Sequence, residues 1–307
     1  MKKFAIGIDL GGTYTKLALV SPKGKIVERG RLSTAEHPTR DGLLRAIVSG
    51  IDTLLKDARV HRSSVKGVGI GVPGLVDFSK GVVYDLTNVK GWKDTPVKRI
   101  LENKLKMPVL ADNDVNVMAL GECKFGAGKG AVNAVCITLG TGVGGGVIIG
   151  GGLYRGSTFS AGEVGHMPLK DAPAGLKCNC GGYGCLERYV GNRHISQEYR
   201  SMKKGKVPLM SPESISIAAK KGDRTAIELW DRVGSRIGTT LAGIVNLLNP
   251  EIIIVGGGVS EAGECLFGPM REAVKKRAMK IPGGAVRIVK AKLGNDAGVI
   301  GAAALFF

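Results

Sequence analysis

Three cysteines, Cys178, Cys180 and Cys185, lie within eight residues, and His166 precedes the first of them by twelve residues. Three thiolates and one imidazole form the closed tetrahedral shell of a structural zinc site, which leaves no open position for chemistry at the metal. In a reducing compartment such a cluster favours metal binding over disulfides. The sequence therefore predicts a structural Zn²⁺ on these four residues, and a fortuitous thiol cluster is the alternative.

A glycine-rich turn of sequence DLGGT, residues 9–13 (the first glycine turn), follows the first apolar run. Glycines after a strand let backbone N–H groups point at phosphate oxygens, and Thr13 and Lys16 add a hydroxyl and a cation. The carboxylate of Asp9 would repel phosphate, so we expect Mg²⁺, through its water shell, between them. The turn is neither a Walker loop nor a dinucleotide fingerprint, and a plain hairpin turn is the alternative.

A second glycine-rich turn of sequence TLGTG, residues 138–142 (the second glycine turn), can also approach a polyphosphate closely. Two such turns facing across a cleft would hold a nucleoside triphosphate. The glycines at 256–258 would be a flat platform for adenine, with a tight strand–helix turn as the alternative. The expected ATP-binding residues are Asp9, Gly11, Gly12, Thr13, Lys16, Thr138, Gly140, Thr141, Gly142, Gly256, Gly257 and Gly258.

Asp114 follows an apolar run and is expected at or near the start of a helix, where an ionised carboxylate is stabilised. A base at that place can accept the proton of an alcohol that attacks a phosphoryl group. The alternative is that Asp112 and Asp114 only cap the helix.

The elements that must position these motifs are short strands and amphipathic helices. Apolar runs at 4–8 and 16–20 predict a β-hairpin around the first glycine turn, and residues 6–20 align with 135–149 at a constant offset of 129. A duplicated unit explains this repeat, and chance similarity is the alternative. Helices are predicted over 42–56, from a cap at Thr95-Pro96, over 225–248, over 261–278 and from Asp296 onward. The alternation predicts α/β structure with helices on both faces of a sheet.

The composition fits a globular protein with an anionic partner. The 307 residues include 48 glycines, and 44 Lys and Arg against 26 Asp and Glu give a net charge of +18. The basic residues are scattered without interleaved aromatics, which argues against nucleic acid and favours a phosphorylated small molecule. No apolar run reaches the roughly 18 residues that span a membrane, and Asp9 interrupts the first run too early for a signal peptide. We therefore expect a cytoplasmic protein with no membrane partner.

Taken together, these motifs resemble the ROK family (repressors, uncharacterised frames and sugar kinases) of the hexokinase–actin–Hsp70 superfamily. The motifs are DLGGT (9–13), GVPG (71–74), NVKGW (88–92), NDVN (113–116), LGTGVGGG (139–146), GEVGH (162–166), CNCGGYGCLE (178–187), GGGVS (256–260) and GNDAGVIGAA (294–303). The resemblance implies a two-lobed actin-like ATPase fold, a duplicated ribonuclease H-like arrangement with a cleft between the lobes. Its N-terminal lobe would be 1–116 with the C-terminal helix 295–307, and its C-terminal lobe would be 117–294 with the zinc loop.

The resemblance also implies roles for single residues. Asp114 would be the catalytic base that deprotonates the sugar 6-hydroxyl, and His166 would bind zinc through one ring nitrogen and face the sugar with the other. The implied sugar-binding residues are Gly74, Asn88, Asn113, Asp114, Glu163, His166 and Glu187. Two departures from the family pattern, Val115 and Gly191, do not involve a proposed catalytic atom.

The implied function is an ATP-dependent sugar kinase, most simply a glucokinase that makes glucose 6-phosphate and ADP. Kinases of N-acetylglucosamine, N-acetylmannosamine, fructose or allose are the alternatives, and polyphosphate remains open as phosphoryl donor. Regulators of the family carry a DNA-binding segment ahead of the DLGGT turn, for which residues 1–8 leave no room, and a scaffold without activity is a further alternative. Family likeness implies a homodimer or homotetramer.

Overall fold

The computed structural model describes residues 3–86, 89–169 and 175–307. The strands are β1 (Phe4–Leu10), β2 (Tyr14–Val20), β3 (Ile26–Ser33), β4 (Val65–Val72), β5 (Val76–Asp77), β6 (Val82–Val83), β7 (Val109–Asn113), β8 (Ala134–Leu139), β9 (Val143–Ile149), β10 (Gly152–Tyr154), β11 (Ile252–Gly256) and β12 (Arg287–Lys290). The α-helices are α1 (Arg40–Asp57), α2 (Val97–Leu105), α3 (Asp114–Phe125), α4 (Glu187–Val190), α5 (Asn192–Met202), α6 (Pro212–Lys220), α7 (Arg224–Leu248), α8 (Glu264–Arg277), α9 (Lys280–Ala285) and α10 (Ala297–Ala304).

Two five-stranded sheets among the described residues have the same strand order. The first runs β3-β2-β1-β4-β7 and the second β10-β9-β8-β11-β12. In the first sheet β4 is parallel to β1 and β7, and in the second β11 is parallel to β8 and β12. Asp9 on β1 pairs with Gly71, and the matching residue of the repeat, Thr138 on β8, pairs with Gly256. The α/β class and the duplication predicted from the sequence repeat are therefore confirmed.

The chain divides into two compact units. The first comprises Met1–Gly130, Gly146–Ala161 and Lys292–Phe307, and the second comprises Ala131–Gly145 and Gly162–Ala291. The sequence-based boundary after residue 116 differs from this division, because it cuts α3 after Asn116 and assigns the rest of that helix and residues 146–161 to the second lobe. They belong to the first unit since α3 packs against α10, and since a Cβ at Gly146 would lie only 2.7 Å from the Cβ of Ala119 on α3.

The sheet of the first unit is covered on both faces. One face packs against α1, whose buried Leu43, Ile47, Ile51 and Leu54 are the positions that predicted this helix. Alternate residues of β1 and β2 point to the other face, where Ala5, Ala18 and Val20 cluster with residues of α10. Helices on both faces are what the strand–helix alternation predicted.

Helix α10 lies unusually close to its neighbours because glycine stands at the points of approach. A Cβ at Gly7 would lie 1.8 Å from the carbonyl oxygen of Val299, and a Cβ at Gly69 would lie 1.8 Å from that of Ala302. On α10 itself, a Cβ at Gly301 would lie 1.7 Å from the carbonyl oxygen of Val117 on α3. This packing accounts for part of the high glycine content.

In the second unit, helices α7 and α8 pack against each other. Trp230, Ile237 and Leu241 of α7 are fully buried in one core with β11 and β8. Their spacing along α7 matches the predicted apolar face of the helix over 225–248. None of the helices in the described ranges combines the length and apolar character that crossing a bilayer requires.

Two predicted helix starts are wrong by one to three residues. Helix α2 begins at Val97 with Pro96 as its N-cap, and the Thr95 hydroxyl donates to the carbonyl oxygen of Trp92 instead of capping the helix. Helix α8 begins at Glu264, because a short 3-10 turn occupies Gly258–Ala262 and Gly263 follows with a φ of 68°. Short 3-10 turns at helix ends have no distinct apolar periodicity, so the sequence pattern does not reveal them.

Replacing Gly301 by Ala is expected to lower the free energy of unfolding by about 3 kcal/mol, because the added methyl group forces α10 away from α3. Gly243→Ala is the control: Gly243 is exposed on α7, and apart from the adjoining backbone of its own helix no described atom lies within 4 Å of its Cβ position. That substitution should raise the free energy of unfolding by about 0.5–1 kcal/mol. Urea unfolding followed by circular dichroism measures both, and equal stabilities would contradict the close packing.

Candidate active site

The predicted catalytic residue Asp114 is the first residue of α3, where strand β7 ends. The preceding residue, Asn113, is the N-cap, and its side-chain oxygen accepts hydrogen bonds from Val115 N at 2.8 Å and Asn116 N at 3.2 Å. The interpretation that Asp112 and Asp114 cap the helix is therefore wrong, since Asn113 caps it. Asp114 is half-buried, and its Oδ1 accepts from Val115 N at 2.9 Å, which favours the ionised carboxylate.

Gly74, a weaker sugar-contact candidate, lies beside this helix start. Its carbonyl oxygen accepts a hydrogen bond of 3.0 Å from the Asn113 side-chain amide, and its φ of 90° favours glycine. The structure therefore brings Gly74, Asn113 and Asp114 together within the first unit. The remaining candidate of this group, Asn88, lies outside the described residues.

The first glycine turn connects β1 to β2 as a tight hairpin. Gly11 N donates to the carbonyl oxygen of Tyr14 at 3.1 Å, and a Cβ at Gly11 would lie 2.7 Å from that oxygen. Gly12 and Thr13 are exposed at the tip. Their backbone is therefore accessible to a ligand, as phosphate binding requires.

Asp9 lies at the base of this turn, with its carboxylate 3.9 Å from the Lys16 ammonium group. Burial raises the pKa of Asp9, and Lys16 lowers it by a smaller amount. The Lys16 ammonium also donates to the carbonyl oxygen of Asn295 at 2.9 Å. A carboxylate whose charge is penalised by burial can be stabilised by a further cation, which fits the predicted Mg²⁺.

Thr34, directly after β3, is a further residue beside this turn that the sequence pattern does not indicate. Its hydroxyl donates to the carbonyl oxygen of Gly11 at 2.8 Å and lies 2.9 Å from the hydroxyl of Thr15, and its N–H donates to Thr13 O. Both threonines are buried. Thr34 thus fixes the first glycine turn from a strand far along the chain, and a lone threonine at a strand end gives no sequence signal for this.

The second glycine turn is held by residues that follow the cysteine cluster. Val143 N donates to Glu187 Oε2 at 3.0 Å, and Asn192 N donates to the carbonyl oxygen of Gly140 at 2.8 Å. A Cβ at Gly142 would lie 2.3 Å from the same Glu187 oxygen. Glu187, which the family resemblance assigns to the sugar, therefore also contacts the backbone beside this turn. Thr138 and Gly140 are half-buried and Thr141 is exposed.

The glycines at 256–258 adjoin the second glycine turn. Gly256 ends β11 beside Thr138 of β8. Gly257 has a φ of 84°, and a Cβ there would lie 2.2 Å from the carbonyl oxygen of Leu139. Gly258 is exposed. The predicted adenine platform and the second glycine turn are thus adjacent in the second unit.

The four predicted metal ligands form one cluster. The ligand atoms of His166, Cys178, Cys180 and Cys185 all lie within 4.8 Å of one another. Sγ of Cys178 is 3.6 Å from the histidine Nδ1, and Sγ of Cys180 is 3.7 Å from that of Cys185. A tetrahedron with metal–sulfur bonds of about 2.3 Å has edges of roughly 3.8 Å, so the donor set fits a metal ion.

The chemistry of the thiols supports the same interpretation. Burial raises the pKa of Cys185 to about 12, with a smaller contribution from its hydrogen bonds with the neighbouring thiols. Thiols this close to one another ionise together only around a cation. The second ring nitrogen of His166, Nε2, lies 3.7 Å from the carboxylate of Glu163, which is half exposed. One ring nitrogen of His166 thus faces the cysteine cluster and the other faces Glu163.

Comparison with known proteins assigns the chain to a family. The ROK family model matches residues 5–307, and the chain belongs to the ROK family. This confirms the family that the sequence motifs indicated.

Among individual proteins, the chain is 37% identical to a glucokinase of Thermotoga maritima, over 98% of this chain and 96% of that protein. It is 34% identical to the ROK family glucokinase of Streptomyces griseus, whose crystal structure is a complex with glucose and AMPPNP. The match has a TM-score of 0.82 and covers 98% of both chains. It is also 31% identical to a xylose repressor of Caldicellulosiruptor bescii, over 98% of this chain and 77% of that protein.

Replacing Asp9 by Asn is expected to raise the free energy of unfolding at pH 7 in metal-free buffer. Because the pKa of Asp9 is raised in the folded state, the wild-type protein should lose stability as the pH rises through that pKa, where the carboxyl becomes charged in a buried place. The uncharged Asn should remove this part of the pH dependence. Urea unfolding between pH 4 and pH 8 measures it.

The control is Asp57→Asn, at the exposed end of α1, which should leave the pH dependence unchanged. A lower stability of Asp9→Asn than of wild type at pH 7 would contradict the expected burial cost.

Proposed function

We propose that the chain is an ATP-dependent glucokinase, which transfers the terminal phosphoryl group of ATP to the 6-hydroxyl of D-glucose. The observation that carries this proposal is the half-buried carboxylate of Asp114 at the first residue of a capped helix, in a chain of the ROK family. The glucokinase of Streptomyces griseus, solved with glucose and AMPPNP, supports the same pair of substrates.

Asp114 is the proposed general base. The sugar oxygen attacks the terminal phosphorus, the bond from that phosphorus to the ADP oxygen breaks, and the hydroxyl proton moves to the carboxylate of Asp114. At the start of α3 the Asp114 carboxylate accepts a hydrogen bond from Val115 N, and negative charge is favoured at this end of a helix. Asn113, held by Gly74, is the proposed partner of neighbouring sugar hydroxyls.

Nucleotide binding is proposed for both glycine turns. Exposed backbone at Gly12, Thr13 and Thr141 provides N–H groups for phosphate oxygens, and Lys16 adds a cation near the base of the first glycine turn. Asp9 would hold Mg²⁺ through water, and the bound ion would neutralise charge on the transferring phosphates. The glycines at 256–258 are the proposed support for adenine.

Zinc is the proposed occupant of the cysteine cluster, because three thiolates with one imidazole are the donor set of structural zinc sites. The site would order the loop that carries Glu187, two residues after Cys185, and would fix the ring of His166 beside Glu163. Glu163, His166 and Glu187 are the proposed partners of the anomeric end of the sugar. The homodimer or homotetramer implied by family likeness stays a prediction.

Purified protein should phosphorylate glucose with a higher kcat/KM than N-acetylglucosamine, N-acetylmannosamine or fructose, in an assay coupled to ADP release. Asp114→Asn should lower kcat by about a hundredfold or more, because the amide cannot accept the proton. Its dissociation constant for glucose, measured by calorimetry, should stay within about threefold of wild type, since only the base is removed.

Asp231→Asn, on the exposed face of α7, is the matched control and should keep wild-type turnover. If kcat/KM is higher for an acetylated amino sugar than for glucose, that amino sugar and not glucose is the preferred substrate. Retention of more than a tenth of wild-type kcat in Asp114→Asn would remove Asp114 from the mechanism.

Freshly purified protein should contain about one zinc per chain by mass spectrometry. Cys185→Ser should lose most of this zinc and melt at a lower temperature, because the loop loses its cross-link. Cys265→Ser, which changes a cysteine outside the cluster, should keep both the zinc and the melting temperature. Less than about half a zinc per wild-type chain would count against the assignment.

A further inference from the structure

A buried ion pair precedes the helix that carries Asp114. Arg155, directly after β10, donates to Asp112 Oδ2 through Nε at 2.8 Å and through Nη2 at 2.7 Å. The side chain of Asp112 is 2% exposed and that of Arg155 is 18% exposed. Removing two charges from water is costly, so a pair this buried depends on close and well-aligned hydrogen bonds.

The other oxygen of Asp112 is bonded to the start of α3. Its Oδ1 accepts from Asn113 N at 2.8 Å and from the side-chain amide of Asn116 at 2.9 Å. Asn113 in turn caps α3 through Val115 N and Asn116 N. Arg155, Asp112 and Asn113 thus form a continuous series of hydrogen bonds that ends at the first turn of α3, where Asp114 lies.

Arg155 also contacts the segment that holds the other side of Asn113. Its guanidinium lies 3.6 Å from the centre of the ring of Phe78, the residue that directly follows β5. The carbonyl oxygen of Gly74, two residues before β5, accepts from the Asn113 side chain. The guanidinium therefore contacts both structures that hold Asn113, through the charge of Asp112 and through the ring of Phe78.

Asn116 indicates that this network serves positioning as well as stability. It is 2% exposed, and its side-chain oxygen has no hydrogen-bond partner among the described residues. A buried acceptor without a partner costs free energy, and an apolar residue in its place would avoid that cost. The Asn116 side chain donates a hydrogen bond to Asp112. Asn116 therefore maintains the orientation of the Asp112 carboxylate.

We propose that Arg155 is a positioning residue for phosphoryl transfer, which acts through Asp112 and Asn113 to hold the Asp114 carboxylate where it can accept the hydroxyl proton. The inference rests on the proposed kinase function. Without the guanidinium, Asp112 is a buried carboxylate with only neutral donors and must draw in water, which shifts the start of α3. A displacement of about 1 Å at a reacting group can cost about a hundredfold in rate.

The test compares Arg155→Met, which keeps the length of the side chain and removes its charge, with wild type. We expect kcat to fall tenfold to a hundredfold, while the dissociation constant for glucose by calorimetry and the KM for ATP stay within threefold. Arg155→Lys should give an intermediate kcat, because one ammonium group cannot reproduce two aligned N–H donors.

Arg271→Met is the matched control. Arg271 also pairs with a carboxylate, Glu264, and lies over a phenylalanine ring, that of Phe267 at 5.4 Å, but it belongs to α8 in the second unit. Its kcat should stay within twofold of wild type. If Arg155→Met does not fold, as judged by circular dichroism, Arg155→Lys carries the test, and a wild-type kcat in that variant would overturn the proposal.

A double mutant separates positioning of Asp114 from a general structural effect. In the Asp114→Asn background, the change Arg155→Met should reduce the residual kcat by less than twofold, because the group that it positions is already lost. A full additional tenfold loss would overturn the proposal, since Arg155 would then act elsewhere. A wild-type protein that phosphorylates no hexose would overturn the kinase function and this inference with it. If the wild-type protein phosphorylates a hexose and Arg155→Met has the same kcat as wild type, the kinase function stands and only this inference is overturned.

Discussion

Close approach of one backbone to another is the constraint on which both units depend. In the first unit, α10 meets β1 at Gly7, and in the second unit, Gly257 meets the carbonyl oxygen of Leu139 beside the second glycine turn. Any side chain at these positions would collide with the neighbouring backbone, so the packing requires glycine. Glycine also stands at the exposed tip of the first glycine turn, at Gly12, where the lack of a side chain would suit the close approach of an anion.

Two carboxylates of the first unit, the buried Asp112 and the partly buried Asp9, are stabilised to different degrees. Asp112 receives two guanidinium N–H groups, a backbone N–H and an amide N–H. Asp9 has one ammonium group at 3.9 Å, and burial raises its pKa. A fully satisfied carboxylate is fixed and orients its neighbours, whereas one with a remaining desolvation cost gains most from a bound cation.

The sequence predicted those features that are encoded locally or repeated. The offset of 129 residues predicted two similar halves, and the cysteine spacing with His166 predicted a cluster of four side chains whose ligand atoms lie close together. The contacts of Thr34, Arg155 and Glu187 could not be predicted, because each joins residues 19 to 44 positions apart whose pairing depends on the fold. The cap at Asn113 was missed for a different reason: three consecutive residues of DND are all good caps, and only the backbone geometry selects one.

The two glycine turns differ at one equivalent position of the repeat. Asp9 and Thr138 occupy equivalent register positions, beside Gly71 and Gly256 in their sheets. A nucleotide polyphosphate carries several negative charges, so a carboxylate near it requires a cation between the two, whereas a hydroxyl can donate to phosphate directly. A second carboxylate at position 138 would require a second cation. The exchange of a carboxylate for a hydroxyl at this register position therefore gives the two turns different requirements toward a phosphate: the first would need a cation in between, and the second would not.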